Sequence, residues 1–193
     1  MSNVGANNHP GLWLDSLPRL THEMHKYERG HALVLGGFPM TGAARLAARA
    51  AARAGAGLTT VAVPEAAFSI YAQSLTSIMV HPLTPGTGLA DLLLGKSFSA
   101  CLVGPGAGVG AETRMSTLML LATRWPTLLD ADALTSFSDT AADLFAAIAG
   151  DCVMTPHEGE YGRIFADEGT RAERARIGAQ RSGAVVVLKG RET

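Results

Sequence analysis

Residues 31–64 read HALVLGGFPMTGAARLAARAAARAGAGLTTVAVP, and this stretch admits few folds. Residues 32–35 are a short apolar run with the branched content of a buried strand. Gly36 and Gly37 let the backbone turn and approach a ligand with no β-carbon in the way. Thr41 is placed to cap a helix over residues 43–54, where alanine supplies strong helix propensity. Arg45, Arg49 and Arg53 recur every four residues and predict one solvent-facing stripe. Gly55 is the expected left-handed stop, and residues 58–63 resume as strand. The result is a βαβ unit whose helix begins at the carboxyl end of its first strand. Unpaired amides and the helix dipole gather there, an arrangement suited to an anion such as phosphate.

The remaining residues extend that pattern. At 193 residues the chain is long enough for one domain with a substantial core, and 47% hydrophobic against 17% charged residues fits a globular α/β protein. A net charge of −1 without a basic block argues against nucleic acid. Cys101 and Cys152, both in apolar runs, suit a reducing compartment, and no secretory signal or membrane-length apolar run is evident. A cytoplasmic protein off the membrane is the expectation. Residues 1–20 are expected to be a loosely ordered lead and 21–193 a single domain. His22 and His25 are read as exposed lead-in histidines, not metal ligands. No resident metal site is assigned.

Helices are expected over residues 65–74, 91–94, 112–123 and 169–182, the last with its arginines on a solvated face. Strands are expected over 78–81, 100–103, 127–129, 152–154 and 184–188. The sequence Gly95-Lys96-Ser97 lacks the upstream glycine and the strand-to-helix context of a P-loop, so Lys96 reads as a turn residue. Residues 104–108, GPGAG, either admit a ligand against bare backbone or form a tight turn. Asp130 either holds Mg2+ or a polar substrate, or bonds a neighbouring loop; Asp132 either joins it or caps a helix. His157 offers a hydrogen bond or a proton, Arg163 a forked contact to phosphate or carboxylate, and each is equally a plain loop or surface residue. Lys189-Gly190 closes the last strand where a phosphate would lie. Alternation of strands and helices predicts a mostly parallel sheet covered on both faces. Right-handed crossovers then bring all of these segments to one edge.

Taken together, GGFPMTGAA, RAGAGLTTVAVP, VGPGAG, LDADAL, TPHEGEYGR and VVVLKG resemble the ADP- or ATP-dependent NAD(P)H-hydrate dehydratases of the ribokinase-like superfamily. The resemblance covers about residues 25–193. It implies a three-layer α/β/α fold and a lyase that repairs hydrated NADH or NADPH. The added hydroxyl is phosphorylated with ADP or ATP and Mg2+, and phosphate then leaves. By the same resemblance Ala43, Gly106 and His157 line the hydrate site, with Arg163 and Asp130 near it. Lys189, Gly190, Arg191, Glu192 and Thr193 begin the nucleotide site, and a homo-oligomer is the family habit. The family's GSGD-type segment, with its anion hole and basic aspartate, would follow Thr193. Its absence leads to the expectation of a truncated chain without turnover of its own. A ribokinase-like kinase of a small alcohol and a non-catalytic nucleotide binder are the alternatives.

Overall fold

The computed structural model describes residues 7–18, 21, 23–86, 88–191 and 193. Its centre is a seven-stranded sheet in which every pairing is parallel. In chain order the elements are β1 (His31–Leu35), α1 (Gly42–Ala54), β2 (Leu58–Pro64), α2 (Phe68–Ser74), β3 (Met79–Leu83) and α3 (Gly88–Gly95). Then come β4 (Ala100–Val103), α4 (Ala111–Ala122), β5 (Thr127–Leu129), α5 (Asp132–Thr135) and α6 (Ala141–Ala147). The order closes with β6 (Cys152–Met154), α7 (Glu158–Ile164), α8 (Arg171–Ser182) and β7 (Val185–Val186).

Alternation along β1 divides the core. Val34 joins Val61 and Val63 on one face, under Ala44 and Ala48 of α1 and Tyr71 of α2. Leu33 and Leu35 join Cys101, Val103, Leu129 and Met154 on the other, under Leu120 of α4, Leu134 of α5, Leu144 of α6 and Tyr161 of α7. Helices therefore cover both faces in three layers, as the strand–helix alternation predicts. The strand order is β3-β2-β1-β4-β5-β6-β7, so the winding reverses between β1 and β4. In open α/β sheets the crevice above such a reversal, at the carboxyl ends, is where ligands bind.

Several local expectations are corrected. The run at 184–188 is regular strand only at Val185–Val186. Beyond it Val187 N–H donates to Met154 O at 2.9 Å and Lys189 N–H to Pro156 O at 2.8 Å. The return bond in that register belongs to Pro156, which has no N–H to give. The segment expected at 65–74 is a 3-10 turn, Glu65–Ala67, followed by α2. Thr41 precedes α1 with helical dihedrals and its side chain makes no cap. The arginine stripe is not uniformly solvated: Arg49 donates to Ser74 O at 2.7 Å, and Arg45 Nε is buried with no hydrogen-bond partner among the described residues. Gly55, at φ +116, does stop α1. Residues 7–18 form two one-turn 3-10 helices without a buried residue. His22 lies outside the described residues, and His25 is exposed.

Candidate active site

The loops after β1, β4 and β5 meet backbone against backbone. A β-carbon on Gly37 would stand 1.5 Å from the Gly106 carbonyl oxygen, and one on Gly104 would stand 1.7 Å from that of Asp130. Gly104 (φ +126) and Gly106 (φ +71) also adopt left-handed backbone, so both sterics and conformation select glycine. The Tyr71 hydroxyl donates to Gly37 O at 3.0 Å and holds the β1 loop from below. Ala43 is exposed in the first turn of α1, not packed on the sheet. The intervening Phe38–Pro39 bond is cis, and Met40 is exposed at the rim.

The LDADAL motif serves two neighbours. Asp132 accepts from Gly108 N at 2.9 Å, and Ser136 Oγ from Gly110 N at 3.1 Å, which pins the glycine loop after β4. Asp132 is thus a loop anchor in α5, whose N-cap is Ala131. Ala131 has φ +48, a costly conformation for a residue with a β-carbon. Asp130, on the other side of it, turns toward β6 and β7. Its Oδ1 receives Thr155 Oγ1 at 2.9 Å and Lys189 Nζ at 2.5 Å. Oδ2 carries no hydrogen bond among the described residues, which leaves an oxygen of the kind Mg2+ takes.

His157 is the N-cap of α7. Its Nδ1 accepts from Gly159 N at 2.9 Å and Glu160 N at 3.3 Å, while Glu160 Oε2 accepts from His157 N at 2.8 Å. That reciprocal pattern is a capping box in which histidine stands in for serine or threonine. An accepting Nδ1 puts the ring proton on Nε2, which faces Glu160 Oε1 at 3.2 Å. Nδ1 is therefore spent on the cap and Nε2 faces a carboxylate, and the half-exposed ring offers its face and edge. Glu160 also lies 3.9 Å from Lys189 Nζ. Arg163 is exposed at the far end of α7, but its Nη1 lies 3.9 Å from where a Gly159 β-carbon would stand. The guanidinium thus folds back toward the carboxyl edge.

At the end of β7, the Arg171 guanidinium occupies the space a Gly190 side chain would fill and pairs with Glu158 at 2.9 Å. Gly190 N donates to Thr193 Oγ1 at 3.2 Å, Arg191 is exposed, and Glu192 lies outside the described residues. The arginines of α8 are not a plain solvated face. Arg174 pairs with Glu158 and lies over the Tyr161 ring, and Arg181 pairs with Asp167 at 2.9 Å. A groove of about 970 Å³ runs along Val186, Val187, Leu188, Arg171 and Thr193. A cavity of about 490 Å³ opens at the opposite edge, among the strand starts. It holds the buried thiols of Cys101 and Cys152, each pushed up to about 12 by burial and so inert as nucleophiles.

The structure thus gathers Asp130, His157 and Lys189 into one polar network and sets Gly106 beside the loop that leads to Ala43. Neighbouring strands are about 4.8 Å apart, so the loops after β4 and β7 are separated by roughly 14 Å. Glu160, Thr155 and Arg171 escaped the sequence reading. The signal for Glu160 was its position three residues after His157, legible once histidine is admitted as an N-cap. Among the described residues no three His, Cys, Asp or Glu side chains gather as a metal cluster.

An all-parallel sheet between helical layers, with bare glycine backbone and a lysine at its carboxyl edge, is a three-layer α/β/α protein with a ligand crevice at that edge. A ribokinase-like protein from Enterococcus faecalis has this fold, with TM-score 0.73 and 24% identity over 89% of the chain and 61% of its own. Residues 32–193 match the sequence model of the NAD(P)H-hydrate dehydratases, and the chain belongs to that family. It is 33% identical to the bifunctional NAD(P)H-hydrate repair enzyme Nnr of Coxiella burnetii, across 90% of this chain and 36% of the relative. It is 36% identical to that of Salinibacter ruber, across 90% and 34%. The chain therefore spans about a third of the length of these relatives. An ADP/ATP-dependent NAD(P)H-hydrate dehydratase from Bacillus subtilis, crystallised with ATP and Mg2+, superimposes with TM-score 0.74 and 30% identity over 90% of this chain and 62% of its own.

Proposed function

We propose that this chain supplies the substrate and nucleotide surfaces of a cytoplasmic ADP- or ATP-dependent NAD(P)H-hydrate dehydratase, with residues 21–193 forming a single ribokinase-like domain. The observation that carries this reading is the Lys189–Asp130 pair beside His157, on the same sheet edge as the Gly37–Gly106 contact. Membership of the family and the fold shared with the Bacillus subtilis enzyme add to it.

The residues fit the ligands. Lys189 is half-exposed and the Arg171 guanidinium lies over Gly190, so cationic groups flank the backbone of residues 189 and 190, where a polyphosphate would rest. Asp130 Oδ2 suits Mg2+, which when bound neutralises phosphate charge. The hydrate lies against Gly106 and Ala43, where small residues let it touch backbone. The His157 ring and Arg163 flank it. The nucleotide converts a poor leaving group, hydroxide, into phosphate. The chain's part is to hold the added hydroxyl and the phosphate in line, through Lys189 on one side and the glycine backbone on the other.

The test is return of NADH absorbance when ADP or ATP with Mg2+ is added to the hydrate and the protein in its natural full length. Return of the reduced nicotinamide is expected. A stable phosphorylated alcohol would instead identify a kinase, and no reaction with either nucleotide would overturn the reading.

A further inference from the structure

We infer that Glu160 is a positioning residue that fixes the His157 ring and joins it to Lys189. The inference rests on the reading above that His157 faces the hydrate and Lys189 the nucleotide. An ordinary capping box needs one carboxylate oxygen, which accepts from the N-cap amide, and leaves the side chain at the surface. Glu160 differs on both counts. Its side chain is 7% exposed, and both oxygens are committed. Oε2 accepts the His157 amide at 2.8 Å and faces Lys189 Nζ at 3.9 Å. Oε1 faces the His157 ring nitrogen at 3.2 Å.

Two consequences follow from donor and acceptor counts. A glutamine here has one acceptor oxygen, so its amide NH2 must confront either the His157 N–H or the protonated Nε2. Either the cap amide or the Nε2 side of the ring then loses its carboxylate, while Nδ1 still accepts from the Gly159 and Glu160 amides. Second, Lys189 stands between two carboxylates, Asp130 at 2.5 Å and Glu160 at 3.9 Å. A phosphate that draws Lys189 away leaves the buried Glu160 charge leaning on His157 alone. Nucleotide binding is thereby felt at the hydrate side. By linkage, hydrate binding is felt equally at the nucleotide side.

The experiment is nitrogen-15 NMR of the His157 imidazole in three proteins: wild type, Glu160→Gln and Lys189→Met. The wild type is expected to show one tautomer, protonated at Nε2. Glu160→Gln is expected to keep the Nε2–H tautomer, which the Gly159 and Glu160 backbone donors to Nδ1 select, and to shift or broaden the ring signals as the carboxylate contact at Nε2 is lost. Lys189→Met changes a half-exposed side chain that shares no hydrogen bond or ion pair with the His157 ring among the described residues. It is nonetheless expected to shift the His157 ring signals, and it carries the test if Glu160→Gln fails to fold. Ring signals unchanged in Lys189→Met, or unchanged in folded Glu160→Gln, would overturn the inference. These signals need no hydrate. A silent dehydratase assay with the expected NMR therefore removes the proposed function alone, and an active enzyme with unchanged signals removes only the role of Glu160.

Discussion

Lys189 Nζ stands 2.5 Å from Asp130 Oδ1, so the carboxyl ends of β7 and β5 are joined across the intervening β6. The two residues are 59 positions apart in the chain. Pairing of partly exposed charges contributes little to stability, about 0–1 kcal/mol. Their placement matters more for what they meet. Lys189→Met is expected to lower the melting temperature modestly, because the buried Glu160 loses a neighbouring cation, and to weaken ADP binding by tenfold or more, about 1.4 kcal/mol. Calorimetric titration beside a thermal melt checks this; an unaltered ADP affinity would remove Lys189 from the phosphate site.

His157 carries two separable jobs, and two substitutions divide them. His157→Ala removes the cap of α7 and is expected to cost about 0.5–2 kcal/mol of stability as well as hydrate affinity. His157→Asn keeps a good N-cap and is expected to hold stability within a few tenths of a kcal/mol while still losing hydrate affinity. Denaturant unfolding of both, with hydrate titration, gives the answer. Normal hydrate binding by the asparagine variant would show that the ring is structural only.

Ala43 is exposed in the first turn of α1. Leucine preserves helix propensity and meets no packed neighbour there, so Ala43→Leu is expected to melt like wild type. Its added bulk intrudes where the hydrate would lie on the glycine loops, and hydrate binding should be lost. A lower melting temperature with intact binding would mean that the position is packed.

The folded chain should lose stability on mild acidification. Burial first, and then the Lys96 charge, lower the pKa of His31 below 6.5; the same causes lower that of His81. Well above pH 6.5 both rings are neutral in either state and the full stability is present. As pH falls below that value the unfolded chain takes up protons that the folded chain refuses, and stability declines toward the lowered folded values. Melting temperatures at about pH 8 and about pH 5.5 should differ in that sense. His31→Gln, which can retain a contact with Thr60 Oγ1, should flatten the slope.

The parallel sheet was legible because short branched runs and glycine turns are local signals. Residues 100–103, 127–129 and 152–154 match their strands residue for residue. What escaped depends on partners distant in sequence. The missing amide of Pro156 shortens the strand at 184–188, but its effect appears only once β6 and β7 are paired in register. Thr41 has the residue type of a cap and the wrong dihedrals for one. The arginines of α8 look like a solvated stripe until Glu158 and Asp167 are brought beside them. In the candidate site, His157 was visible as a residue type. That its nitrogens are spent within its own helix turn was not, because it requires reading Glu160 as the answering half of a cap.

The contact between Gly37 and Gly106 lies at the winding reversal, where β1, β2 and β3 adjoin β4 to β7. At that contact the Gly37 α-carbon rests on the Gly106 carbonyl, with the Met40 backbone also against Gly106, which leaves little compliant spacing between the two loops. One group of strands therefore cannot tilt against the other without driving backbone into backbone, and the crevice there opens only by local unfolding, not by hinge motion. Amide exchange at Gly36, which donates to Ala62 O, and at Ala107, which donates to Gly104 O, should accordingly report the same opening free energy, so that the floor of the crevice moves as a single plate.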